Sequence, residues 1–135
     1  MAWTITKPGI DLGIVTTNGD AMLEFYRDVV GLEFEATLAL EPIGIARMDR
    51  LLCNDSVLKL VTLTTDVAAG PTGGMAGCTG PRYFTISVDD VEAAVADCEA
   101  AGAPVVWPPT ESRPGVTIAM VEDPDGNWVE FIRMS

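Results

Sequence analysis

The side chains able to do chemistry in this chain are carboxylates, a few cations, three thiols and two tyrosines, with no histidine among them. The absence of histidine removes the commonest transition-metal ligand. Cys53, Cys78 and Cys98 form no CxxC pair, and without histidine none has a Cys–His catalytic partner. Cys98 sits in an apolar helical stripe and is expected in the core, whereas Cys78, in a Gly-rich loop, is expected at the surface. No GxGxxG, Walker loop or serine nucleophile elbow occurs. That leaves carboxylates and ammonium groups, the tools of proton transfer. Two of them occupy matching places. The chain repeats its pattern at an offset of 71 residues, so that Val15 to Gly31 aligns without a gap on Ile86 to Gly102, and Asn54 to Lys59 falls on Asp125 to Glu130. Identities are few; the pattern is what repeats. A duplicated module usually builds one pocket between its copies, which leads us to expect Lys59 and Glu130 to face each other.

The elements that must position them read in the same order in each half. Ile10 to Thr16 alternates as a strand, and Asn18-Gly19-Asp20 is a turn with capping residues. Met22, Leu23, Tyr26, Val29 and Val30 recur at helical spacing, and Gly31 is the stop. Strands are predicted over Leu32 to Leu40, Ile43 to Leu52 and Val57 to Thr64. The second half repeats strand Tyr83 to Val88, helix Val91 to Ala101 and strand Pro104 to Trp107. A Pro108-Pro109 bend is expected next, then strands Val116 to Glu122 and Trp128 to Met134 around the Asp123-to-Asn127 turn. The fold class is thus α+β, two tandem βαβββ modules in a single domain over 1–135. Module one covers about 9–64 and module two 82–134. The Gly- and Pro-rich stretch 65–81, poor in bulky side chains, is expected to be a linker or mobile flap.

Composition sets outer bounds. At 135 residues and 48% apolar content, the chain can bury a substantial core. Its net charge of −12 argues against nucleic acid and anionic membrane surfaces as partners. No apolar run approaches a spanning helix, and the N-terminus lacks a signal-peptide profile, so a cytoplasmic, soluble protein is expected.

With Phe25-Tyr26-Arg27-Asp28-Val29-Val30-Gly31-Leu32 in the first helix and Asp123-Pro124-Asp125-Gly126-Asn127-Trp128-Val129-Glu130 near the end, the chain resembles the vicinal oxygen chelate superfamily. This is the group of glyoxalase I, extradiol dioxygenases and bleomycin-resistance proteins. The resemblance runs from Ile10 to Met134. It implies a cupped, partly closed sheet barrel and a homodimer. Carried over residue by residue, the family's four ligand positions, mostly His and Glu, fall on Asp11, Lys59, Tyr83 and Glu130. Only Glu130 keeps a usual ligand type, and Lys59 brings an ammonium to the place of a divalent ion. No metal and no cofactor are therefore expected.

The four residues then read in two ways. In one, Lys59 replaces the metal's charge and pairs with Glu130 and Asp11 in an inert polar core. In the other they form an acid–base cluster, with Glu130 or Asp11 as general base and Tyr83 or Lys59 donating to a developing oxyanion. The second reading predicts a metal-independent isomerase or lyase acting on a small, largely apolar molecule by isomerisation, epimerisation, elimination or ring opening. The alternative is a binding protein that sequesters a hydrophobic antibiotic or metabolite in the same cup. A buried charge at Lys59 would favour the enzyme. Arg47 and Asp49 share a strand face and are expected to point into the cup, with Met48 outward. Trp107, at a strand end before Pro108-Pro109, reads equally as core or as lining of the pocket mouth. Trp128, read as one residue out of phase with Glu130, is expected to face away as sheet-backing core. Arg113 is read as a solvated loop residue, with gripping an anionic substrate group as its alternative, and Phe25 and Tyr26 as helix-on-sheet packing.

Overall fold

Each half of the chain forms one four-stranded mixed sheet backed by one helix, in a computed structural model that describes residues 2–71 and 73–135. The halves separate into two compact units, the first ending at Ala68 and the second beginning at Ala69.

In the first unit the strands are β1 (Asp11–Val15), β2 (Glu33–Leu40), β3 (Ile45–Cys53) and β4 (Ser56–Leu63), in the order β1-β4-β3-β2. Helix α1 (Gly19–Glu24) runs into a wide π-helical turn at Phe25–Val29. That turn ends where the sequence predicts: Gly31 takes φ +88°, and the Leu32 N–H donates to the Tyr26 carbonyl at 2.9 Å. Met22, Phe25 and Tyr26 are buried, with Phe25 and Tyr26 meeting edge to face at 5.0 Å. They cover the sheet face that carries Leu58, Leu60 and Leu51, all buried.

The second unit repeats the scheme with β5 (Tyr83–Ser87), α2 (Val91–Ala100), β6 (Val105–Arg113), β7 (Val116–Glu122) and β8 (Trp128–Met134), in the order β5-β8-β7-β6. Asp90 caps α2 by accepting from the Ala93 N–H at 3.0 Å. Val91, Val95 and Cys98, at helical spacing, bury one face of α2, and Val121, Val129 and Phe131 supply the buried sheet side. The buried Asp123 organises the β7–β8 turn by accepting from the Asp125 and Asn127 backbone N–H groups, each at 2.9 Å, while Gly126 takes φ +85°.

One expectation needs correction. The Pro108-Pro109 pair does not end the strand: β6 continues through it to Arg113, with its pairing register shifted on either side of Trp107. Because β6 is an edge strand, its prolines forfeit no ladder bond on the open side, and the irregular register absorbs them. Within the 65–81 stretch, of which Thr72 lies outside the described residues, there is one short ordered turn. Gly74–Ala76 forms a short 3₁₀ turn, and Arg82 Nε donates to the Gly74 carbonyl at 2.7 Å. Among the described residues no helix is long and apolar enough to cross a membrane.

Candidate functional site

Strand pairing decides which side chains share a face. In the first unit Lys59 stands opposite Gly13 of β1 and Arg50 of β3, on the face away from α1, and Asp11 and Met48 belong to that same face. Asp11 and Lys59 meet there: Lys59 Nζ lies 3.4 Å from Asp11 Oδ2. A second ammonium, Lys7, reaches Asp11 Oδ1 at 2.6 Å. The hydrogen bond from Lys7 holds the Asp11 carboxyl below the ordinary carboxylate range, Lys59 adds to the effect, and partial desolvation opposes it. The pair is not a buried charge, since the side chains of Lys59 and Asp11 are 29% and 33% exposed.

Arg47 and Asp49 point the other way. Asp49 pairs with Leu60 and Thr37, which places both Asp49 and Arg47 on the face beneath α1, while Met48 takes the Lys59 face. Asp49 is almost fully buried, accepts from Thr37 Oγ1 at 2.6 Å, and lies 2.9 Å from Arg47 Nε; Arg47 Nη1 in turn donates to Asp20 of α1 at 2.7 Å. This network fastens α1 to the sheet. The physical reason for the reversal is that the carboxylate is charge-paired with the Arg47 guanidinium and hydrogen-bonded by the Thr37 hydroxyl inside the helix–sheet layer, with its Oδ2 held by the ion pair alone. Both faces of β3 also carry large apolar residues, so polarity alone does not choose between them.

The second unit presents the richer face. Tyr83 and Thr85 of β5, Trp128, Glu130 and Ile132 of β8, Met120 and Ile118 of β7, and Trp107 of β6 all lie on one side of the sheet, away from α2. Thr85 Oγ1 donates to Glu130 Oε1 at 2.7 Å. Trp107 and Trp128 pack edge to face with centroids 5.9 Å apart and an interplanar angle of 65°. Tyr83 is 46% and Trp107 38% exposed, whereas Trp128 and Glu130 are half-buried. Trp128 therefore does not face away. Positions 128 and 130 are two apart, and strand alternation puts them on one side.

Strand pairing also refines the correspondence between the halves. Asp11 pairs with Val57 as Tyr83 pairs with Trp128, so Asp11 and Tyr83 occupy equivalent places although 72 rather than 71 residues separate them. Gly13, opposite Lys59, corresponds to Thr85, opposite Glu130. Thr85 was missed from sequence, and its signal is that alternation from Tyr83 carries the same face to position 85. Trp128 and Thr85 are thus the additions to the candidate set.

As for metals, among the described residues no group of three or more His, Cys, Asp or Glu side chains is arranged to hold an ion. The donors at Asp11 do not fit a divalent cation, because both carboxylate oxygens are engaged by ammonium groups.

Comparison with known proteins places this geometry in context. The family model described as the Glyoxalase/Bleomycin resistance protein/Dioxygenase superfamily matches residues 10–131. A glyoxalase family protein from Bacillus cereus is similar in structure with a TM-score of 0.84, at 16% identity, over 99% of this chain and 98% of that one. TnmS3, an antibiotic binding protein from Streptomyces sp. CB03234, is similar at TM-score 0.71 and 22% identity, over 100% and 99%. Lactoylglutathione lyase from Agrobacterium tumefaciens is similar at TM-score 0.64 and 26% identity, over 92% and 91%. No curated protein matches the chain.

Proposed function

Because the chain belongs to the Glyoxalase/Bleomycin resistance protein/Dioxygenase superfamily, we propose that it holds a small, largely apolar molecule bearing a planar ring, without a metal ion, on the Trp107–Trp128–Glu130 face of its second module. The observation that carries this reading is the tryptophan pair. Two indoles set at 65° on one sheet face offer a ring an apolar wall and an edge at once. Ile118 and Ile132, with the fully buried Met120 beneath, extend the apolar face around them. Glu130, steadied by Thr85, supplies one oriented acceptor for an N–H or O–H of the ligand. Metal independence is supported by Lys7 and Lys59, whose ammonium groups occupy the oxygens of Asp11. The likeness to TnmS3, an antibiotic binding protein, supports a binding role.

Proton-transfer catalysis is the second reading, and one observation favours it. Glu130 is oriented by Thr85 on the same face as the exposed Tyr83, a base and a proton donor side by side on β5 and β8. Asp11 is the weaker candidate for base because its ion pairs lower its proton affinity. The criterion of a buried charge at Lys59 points toward binding, since Lys59 is part-exposed and paired.

Incubation in D₂O separates the two readings. Under sequestration, candidate ligands return with no deuterium on carbon, and Glu130→Gln changes affinity only modestly. If the wild type instead incorporates deuterium and Glu130→Gln slows it by ~10²-fold or more, catalysis replaces binding as the function.

A further inference from the structure

The loop ahead of β5 lies directly on Trp128. Gly74 sits so close to Trp128 that a Cβ built on it would fall 2.0 Å from Cζ2, 2.3 Å from Cε2 and 2.5 Å from Cη2. Only a residue without a side chain fits there. Gly73, at φ +103°, turns the chain into the contact. The Gly74 carbonyl is then latched by Arg82 Nε at 2.7 Å, from the residue that immediately precedes β5.

We propose that this strap, Gly73 to Gly77, is a self-occupant of the binding face: its backbone covers the part of the Trp128 ring that a planar ligand group takes, and binding requires the strap to lift. The inference rests on the reading of the Trp107–Trp128 face given above. Three features support displacement rather than a fixed wall. The turn residues Gly74 to Ala76 insert no large side chain into the sheet, and Met75 is 42% exposed, so the strap withdraws little buried side chain of its own when it lifts. The hold includes the Arg82 Nε–Gly74 carbonyl hydrogen bond and a second from Arg82 Nη1 to Cys78 Sγ at 2.9 Å, polar contacts that water can replace. A backbone unit lying against an indole also fills the space a flat ring would fill, with fewer atoms in contact. The strap therefore excludes water from Trp128 in the unliganded protein and yields to a ligand that packs the ring better.

Gly74→Ala tests this, because its methyl group cannot share space with the indole and the strap must rise. Arg82→Gln removes the latch without adding bulk and serves as the second variant. Acrylamide quenching of Trp128, read in a Trp3→Phe/Trp107→Phe background, reports whether the ring is uncovered. Binding of the neutral aromatic probe N-phenyl-1-naphthylamine, with both Trp107 and Trp128 present, reports affinity and association rate. The strap account predicts stronger quenching and ~3–10-fold tighter, faster binding in both variants, because less of the population is held in the covered state. Unchanged quenching in both variants would overturn the strap alone. Stronger quenching with weaker binding would make the loop a wall of the site and also overturn it. If the probe binds neither wild type nor variants while quenching rises, the binding face itself fails, and the strap's role falls with it.

Discussion

Trp107→Ala separates a ligand platform from ordinary sheet packing. Trp107 is 38% exposed, so somewhat over half of its surface is covered, part of it by the edge-to-face Trp128. A covered area of roughly 90–150 Å² at about 25 cal/mol/Å² corresponds to ~2–4 kcal/mol. That range includes most of the ~0.5–1.5 kcal/mol expected of an edge-to-face pair. Relaxation on the irregular edge strand β6 lowers the figure, so the loss of stability is expected near ~2 kcal/mol. Trp107→Phe keeps an aromatic edge against Trp128 and should cost under ~1.5 kcal/mol. Urea unfolding followed by far-UV circular dichroism gives both values. If Trp107 is part of the binding face, the Ala variant should also bind N-phenyl-1-naphthylamine at least ~10-fold more weakly, and Phe should restore most of the affinity. Unchanged affinity in an Ala variant that has lost stability would show that the indole pair is packing alone, refuting its assignment to a binding face.

Three further outcomes follow from the geometry. Asp49→Ala strips the buried partner from Arg47 and Thr37 and should destabilise the chain by ~1–3 kcal/mol in chemical denaturation, with probe binding on the second module unchanged. Asp11 has a folded-state proton affinity lowered by Lys7 and Lys59, so its contribution to stability is present above its ordinary value of 3.8 and is lost as the pH falls through the lower folded value. Carboxyl NMR titration should show that depressed midpoint, and Lys7→Met should raise it toward 3.8. Burial, and to a smaller degree the charge of Asp97, pushes the Cys98 thiol up to about 11, so at pH 8 the exposed Cys78 should react with a thiol reagent in the native state and Cys98 only after unfolding.

Much of this was legible in the sequence because the signals are local and occur twice. The 71-residue repeat placed Lys59 and Glu130 at equivalent positions of β4 and β8, and counting back from Gly31 and Gly102 reached Asp11 and Tyr83, which strand pairing makes equivalent. The errors came where long-range structure decides. Nothing local marks β6 as an edge strand, so its prolines read as a bend. Arg47 and Asp49 looked like site residues because they are polar, whereas their polarity is consumed beneath α1. The glycines at 73 and 74 signal either freedom or close approach, and only the position of Trp128 makes it the second. Trp128 itself was a miscount of phase, correctable from alternation alone.

The central claim is metal-independent binding on the tryptophan face. Its most direct measurement is the indole N–H region of ¹H–¹⁵N NMR spectra, recorded on EDTA-treated protein during titration with N-phenyl-1-naphthylamine and assigned by Trp→Phe substitution at each of positions 3, 107 and 128. The account predicts saturable shifts at Trp107 and Trp128, none at Trp3, and an affinity that added Zn²⁺, Ni²⁺, Mn²⁺ or Fe²⁺ leaves unchanged. Shifts that appear only after a metal is restored, or that leave Trp107 and Trp128 unmoved, would contradict it.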